Sequence, residues 1–71
     1  MNKFSERLKD LRKERNLTQT QLSQETNISQ PAIAKWESGD RSPNIDYVII
    51  LAKFFDVTTD YLLGLEDYEQ F

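Results

Sequence analysis

Gln30 and Lys35 are the side chains of this 71-residue chain best suited to molecular recognition. A glutamine amide both donates and accepts, which matches the N6 and N7 edge of adenine. The Lys35 ammonium can donate to guanine O6 and N7, or to a phosphate. Pro31 has no donor but offers an apolar edge suited to a thymine methyl, and Ala34 adds a small apolar surface. Covalent chemistry is poorly supplied by comparison. The chain has no His and no Cys. Ser-His-Asp and Cys-His arrangements, thiol chemistry, disulfides and His-containing metal sites are therefore out of reach. An enzyme would have to rest on carboxylates such as Glu37 and Asp40 near Trp36, and so small a bundle has no pocket-sized core. No enzymatic activity, no metal and no cofactor are expected.

The elements that carry these residues are legible as helix starts. Leu17-Thr18-Gln19-Thr20-Gln21-Leu22 holds a capping box, with Thr18 as N-cap and Gln21 reaching back to it. Leu17 and Leu22 form a hydrophobic staple across that box. Ile28 and Ile33 repeat the staple around Ser29, and Val57 and Leu62 repeat it around Thr58. Asn44, after Pro43, is a fourth N-cap. Helices are predicted over about 4–15, 19–26, 30–38, 45–55 and 59–63, with Asn16, Gly39 and Gly64 as left-handed stops. The fold class is all-α, a compact five-helix bundle. A domain over 1–64 is followed by an acidic tail over 65–71, which reads as a frayed end, a partner-packing segment or the stump of a longer regulator.

The second and third helices are joined by a very short turn, which forces a steep crossing and fixes residue types along it. Leu22 must point inward, Ser23 must be small, and Asn27 must tolerate a left-handed backbone. Ile28, Ile33 and Trp36 must be buried. Together these positions define a helix-turn-helix. In that architecture the third helix enters the major groove by its N-terminal end, presenting Gln30, Pro31, Ala34 and Lys35 to base edges. Gln19 and Ser29, at helix starts, suit phosphates, as do Arg41 and Asn44 in the following loop and Lys3 near the chain start.

Leu17-Thr-Gln-Thr-Gln-Leu22, Asn27-Ile-Ser-Gln-Pro-Ala-Ile-Ala-Lys-Trp-Glu37, Gly39, Pro43 and Val57-Thr-Thr-Asp-Tyr-Leu-Leu-Gly64 together resemble the Cro/C1-type (Xre) helix-turn-helix family. The resemblance covers about residues 4–64. It implies a lambda-repressor-like DNA-binding domain, as in phage repressors and Gram-positive bacterial or prophage regulators. Asn27 and Ser23 stand where the family usually has Gly and Ala. Asp40 and Ser42 stand where many members carry basic residues. The resemblance further implies that Gln19 steadies Gln30, and that Arg12 and Glu37 form a partly buried ion pair tying the first helix to the end of the third. The function implied is sequence-specific binding of double-stranded DNA as a transcriptional regulator, a repressor. The alternative is an antitoxin-like or adaptor module that does not read DNA sequence by itself.

Helix 4 carries more apolar surface than one core needs. Ile45, Val48, Leu51, Ala52 and Phe55 share one face, whereas Ile50 and Phe54 fall on the opposite side. An exposed Ile–Phe pair suggests a partner surface. Regulators of this type bind as two-fold dimers on inverted-repeat operators. A homodimer through Ile50, Phe54 and Leu65 is one expectation; helix 5 or the tail folding over the pair is the other.

The formal charge of −3 conceals an uneven distribution. Residues 1–17 carry six basic and three acidic side chains, residues 18–43 two and three, and residues 44–71 one and six. Such asymmetry points to an electrostatic face. No run of about 18 apolar residues exists to span a membrane. The start of the chain also lacks the apolar stretch of a secretory signal. A cytoplasmic location and no membrane partner are expected.

Overall fold

The computed structural model describes residues 3–67. Five helices follow in order: α1 (Phe4–Glu14), α2 (Gln19–Thr26), α3 (Gln30–Ser38), α4 (Ile45–Phe55) and α5 (Thr59–Leu63). Among the described residues there is no strand. The all-α, five-helix expectation therefore holds.

Helix boundaries follow from cap chemistry. Thr18, Ser29, Asn44 and Thr58 each accept, through a side-chain oxygen, the N–H of the third residue of the helix they open. Each such cap contributes about 1 kcal/mol. At Thr18 the box is complete: the Thr18 N–H also donates to Gln21 Oε1 at 2.8 Å. Helix ends are closed by left-handed residues, Asn27, Gly39, Asp56 and Gly64, and Asn16 follows α1 in the same conformation. Asp56 is a stop the sequence does not advertise, because Asp adopts this conformation less freely than Gly.

The core draws one fully buried side chain from every helix: Leu8, Leu22, Ile33, Leu51 and Leu62. Each is worth about 1.5–3 kcal/mol of burial. The three staple residues Ile28, Val57 and half-buried Leu17 close around this centre. Phe4 meets Trp36 edge-on with ring centroids 6.3 Å apart, and Trp36 meets Tyr47 at 5.2 Å. α3 is packed against both α1 and α2. Ser5 Oγ adds a donor to the Trp36 carbonyl near the C-terminal end of α3.

Two sequence expectations about α4 need correction. Ile45 shares a helical face with Val48 but is 73% exposed. It opens α4, and five-residue α5 is too short to cover both ends of an eleven-residue partner. Phe54, expected to stand exposed beside Ile50, is half-buried against the core. Its ring lies edge-on to Phe55 at 5.0 Å, and the Arg15 guanidinium lies 5.5 Å from its centroid. Ile50 remains exposed.

Leu65–Asp67 continue beyond α5 with contacts of their own. The Leu65 N–H donates to the Asp60 carbonyl at 2.8 Å. Arg7 Nη1 donates to the carbonyls of Tyr61 and Glu66 at 3.2 and 3.0 Å, and the guanidinium lies 4.1 Å over the Tyr61 ring. Arg7 therefore holds the segment after α5 against α1. The expected acidic tail otherwise falls at 68–71, outside the described residues.

Candidate nucleic-acid interface

The turn between α2 and α3 is built as its residue types require. Asn27 takes the left-handed conformation with φ 60°, and Ile28 is buried immediately after it. Ser23 Oγ donates to the Ile28 carbonyl, which a larger apolar residue could not do. Thr26 Oγ1 donates to the Leu22 carbonyl at 2.8 Å. Ile33 and Trp36 turn one side of α3 into the core. Pro31 and Lys35 stay exposed on the other side, with Gln30 and Ala34 half-buried between.

Behind Gln30 runs a continuous line of hydrogen bonds. Gln30 Nε2 donates to Gln19 Oε1 at 2.9 Å. Gln19 Nε2 donates to Glu37 Oε1 at 3.1 Å. Glu37 in turn accepts from Arg12 at both oxygens, Nε at 2.7 Å and Nη2 at 2.9 Å. Arg12 Nη1 completes the line by donating to the Leu17 carbonyl at 2.8 Å. The Glu37 side chain is only 2% exposed. A carboxylate removed from water to this degree needs such partners, since an uncompensated buried charge costs several kcal/mol, roughly 3–5. The hydrogen bond to Glu37 raises the Arg12 guanidinium above its ordinary pKa, and Coulombic attraction adds to it, against the opposing effect of burial.

An open cleft of about 510 Å³ lies beside α3. Pro31, Lys35, Arg41 and Asn44 line it, with Trp36 and Tyr47 among the neighbouring walls. Four residues singled out in the sequence thus meet across one concave surface. The Arg41 N–H donates to the Lys35 carbonyl at 3.3 Å, which folds the loop back onto α3. Asn44 Oδ1 is engaged by the Tyr47 N–H at 3.1 Å, leaving the amide NH2 for another acceptor. Ser29 Oγ accepts from the Ala32 N–H at 3.3 Å, leaving its hydroxyl proton available. Pro31 removes one N–H from the start of α3, so that helix end is a poorer anion site than the start of α2, where the Gln19 and Thr20 N–H groups lack intrahelical acceptors. Lys3 is exposed and is not part of the cleft; the base of its side chain packs beside Gly64.

Two participants go beyond what the residue types announced. Tyr47 lines the cleft beside Trp36, with the two rings tilted by 50°. Gln19 touches Glu37 as well as Gln30. Gln19 and Glu37 lie 18 positions apart on different helices, and only the crossing angle of the turn brings them together. Among the described residues no cluster of His, Cys, Asp or Glu could hold a metal ion.

A helix pair joined by a three-residue turn, with Gln30 and Lys35 on the outer face of its second helix, defines a helix-turn-helix. The helix-turn-helix family model matches residues 8–62, and the chain belongs to that family. It is 47% identical over 64 residues to the HTH-type transcriptional activator BcrR of Enterococcus faecalis, covering 90% of this chain and 31% of that protein. It is 36% identical over 62 residues to the cryptic phage CTXphi transcriptional repressor RstR of Vibrio cholerae, covering 87% and 55%. A transcriptional regulator from Listeria innocua superposes with a TM-score of 0.82 at 32% identity, over all of this chain and 64% of that one. The chain spans about a third to three fifths of the length of the curated relatives it matches.

Proposed function

We propose that this chain binds double-stranded DNA sequence-specifically as a transcriptional regulator, with α3 in the major groove. The observation that carries this is the polar line ending at Gln30: a buried ion pair and a second glutamine hold one half-buried amide at the tip of α3. Gln30, Pro31, Ala34 and Lys35 read bases. Gln19, Ser29, Arg41, Asn44 and Lys3 contact phosphates. Relatives named as an activator and as a repressor share this domain. The domain supplies the address on DNA, and repression follows where that address overlaps a promoter. The protein works in the cytoplasm, without cofactor or metal and without enzymatic activity. No helix among the described residues is long and apolar enough to cross a membrane.

The chain acts as a homodimer, because one α3 spans only a few base pairs and two half-sites one helical turn apart double the contacts. Exposed apolar side chains on α4 and just after α5 support a second copy as the partner: Ile45, Ile49, Ile50 and Leu65. Ile45 and Ile49 line an apolar groove of about 370 Å³ with Leu63. Phe54 contributes little to such an interface, since Arg15 already covers part of it.

Selection of bound sequences from random duplex DNA, repeated across salt concentrations, tests the proposal. An AT-containing inverted repeat is expected. The salt slope should be shallow, about −3 to −4 for Arg41 and Lys3 of two protomers at roughly −0.9 per neutralised phosphate. Sequence-blind binding, or none, refutes it.

A further inference from the structure

We infer that Glu37 is a positioning residue for base discrimination, fixing which way the Gln30 amide faces through Gln19. This rests on the proposed reading of DNA by Gln30. A glutamine amide has a donor end and an acceptor end of nearly the same shape, so shape alone does not choose between two orientations. Along this line, hydrogen-bond polarity makes the choice. Arg12 has donors only, and both Glu37 oxygens accept from it. A carboxylate has only acceptors to offer. The end of Gln19 that meets Glu37 Oε1 must therefore be its NH2 group, as the 3.1 Å contact has it. The other end of Gln19 is then its carbonyl, and the part of Gln30 that meets it must be NH2. A reversal of either amide would set two acceptors face to face in a half-buried site.

The outcome at the DNA end is specific. Gln30 spends one N–H on Gln19 and keeps one N–H and its carbonyl without partners among the described residues. One donor beside one acceptor complements adenine N7 and N6. Guanine presents two acceptors there, O6 and N7, and meets the Gln30 carbonyl with a mismatch. With Glu37→Gln, residue 37 can donate as well as accept. Gln19 loses its fixed direction, and the Gln30 amide is free to turn its NH2 toward guanine.

Two arms test this. In the free wild-type protein, through-hydrogen-bond NMR correlations should run from Gln30 Nε2 to the Gln19 carboxamide carbon, and from Gln19 Nε2 to the Glu37 carboxylate carbon. The Gln19 and Gln30 NH2 protons should also exchange more slowly than those of exposed Gln24. Reversed correlations, or exchange as fast as in Gln24, overturn the inference whether or not DNA is bound. In the second arm, the adenine-over-guanine preference at the base read by Gln30 is measured for three proteins. About tenfold is expected for wild type, under about threefold for E37Q, and recovery for the double variant Q19E/E37Q. In the double variant the carboxylate introduced at position 19 accepts both from the amide introduced at position 37 and from Gln30. The donor direction is restored, while the added charge lowers affinity for every sequence. A merely structural role for Glu37 predicts no recovery, since Arg12 still lacks its carboxylate. An unchanged preference in E37Q, or a double variant as unselective as E37Q, also overturns the inference. A wild type blind to sequence refutes the DNA reading itself, and the NMR arm then still judges the polar line.

Discussion

Arg12→Ala should be among the most destabilising substitutions outside the apolar core. Arg12 makes two short bonds to Glu37 and a third to the Leu17 carbonyl. Its side chain is 12% exposed and that of Glu37 only 2%. Truncation leaves a carboxylate in the interior with Gln19 as its remaining donor among the described residues. Breaking such a pair by removing one partner costs about 3–5 kcal/mol. A chain of this length has about 4–11 kcal/mol of total stability. Urea unfolding, followed by the fluorescence of buried Trp36 next to Glu37, should show the midpoint falling by roughly 3 M at an m-value near 1 kcal/mol/M. The pair is isolated by a double-mutant cycle with Glu37→Ala, where a coupling of about 2 kcal/mol or more is expected. Coupling below about 0.5 kcal/mol would refute the reasoning, because it would mean that Glu37 finds equivalent solvation without its guanidinium. The pH dependence has a definite sign. The folded pKa of Arg12 is raised, so its stabilisation is complete below the unfolded value and is lost only as pH rises through the folded one. Its own titration therefore contributes no slope through the neutral range.

Thr18→Ala removes the Oγ1 acceptor of the Gln21 N–H while leaving the backbone bond from residue 18 to Gln21 Oε1 in place; thermal unfolding should register a loss of about 1 kcal/mol. Gly64→Ala should cost more than Gly39→Ala by chemical denaturation. Both glycines have φ above 80°, but a Cβ at Gly64 would stand 3.0 Å from the Lys3 backbone nitrogen, whereas at Gly39 the nearest atom is Ser5 Oγ at 3.8 Å. Equal losses would show that the α1–α5 junction yields easily. Ile45→Glu should reduce self-association in sedimentation while leaving the unfolding midpoint near wild type, because Ile45 is exposed and outside the core. A wild type that stays monomeric at high micromolar concentration rejects the homodimer.

The sequence carried the helix ends because end chemistry is local. Thr18, Ser29, Asn44 and Thr58 cap through groups within three residues, so residue type and spacing suffice. α2 through α5 fall where those caps place them. The misplacement of Ile45 has the opposite cause. Helical periodicity assigns a face, but the length of the covering helix decides how far along that face burial extends. Phe54 failed for a related reason: it packs against the core beside Arg15 from the end of α1, and nothing in α4 records that. The Gln19–Glu37 contact belongs to the same class, since it depends on the crossing of α2 and α3.

Net charge illustrates the same division between local and assembled properties. As a sum over the chain, −3 argues against a polyanionic partner. Within residues 18–43 the sum is −1, from Lys35 and Arg41 against Glu25, Glu37 and Asp40. The fold changes that figure again, because Glu37 is buried and neutralised by Arg12 from another helix. The charges left at the surface of this segment balance. Arg12 is likewise subtracted from the basic excess of α1, and Arg7 is committed to the segment after α5. The proposed DNA face, built this way, cannot rely on a strong positive field. Its contacts must come from amides, helix ends and one or two cations, all of which act only at close range. Discrimination between sequences then depends on how rigidly a few donors are held. On the proposed reading of bases by Gln30, that places weight on the line of hydrogen bonds from Arg12 to Gln30, where a single change of polarity is expected to be felt at the base edge.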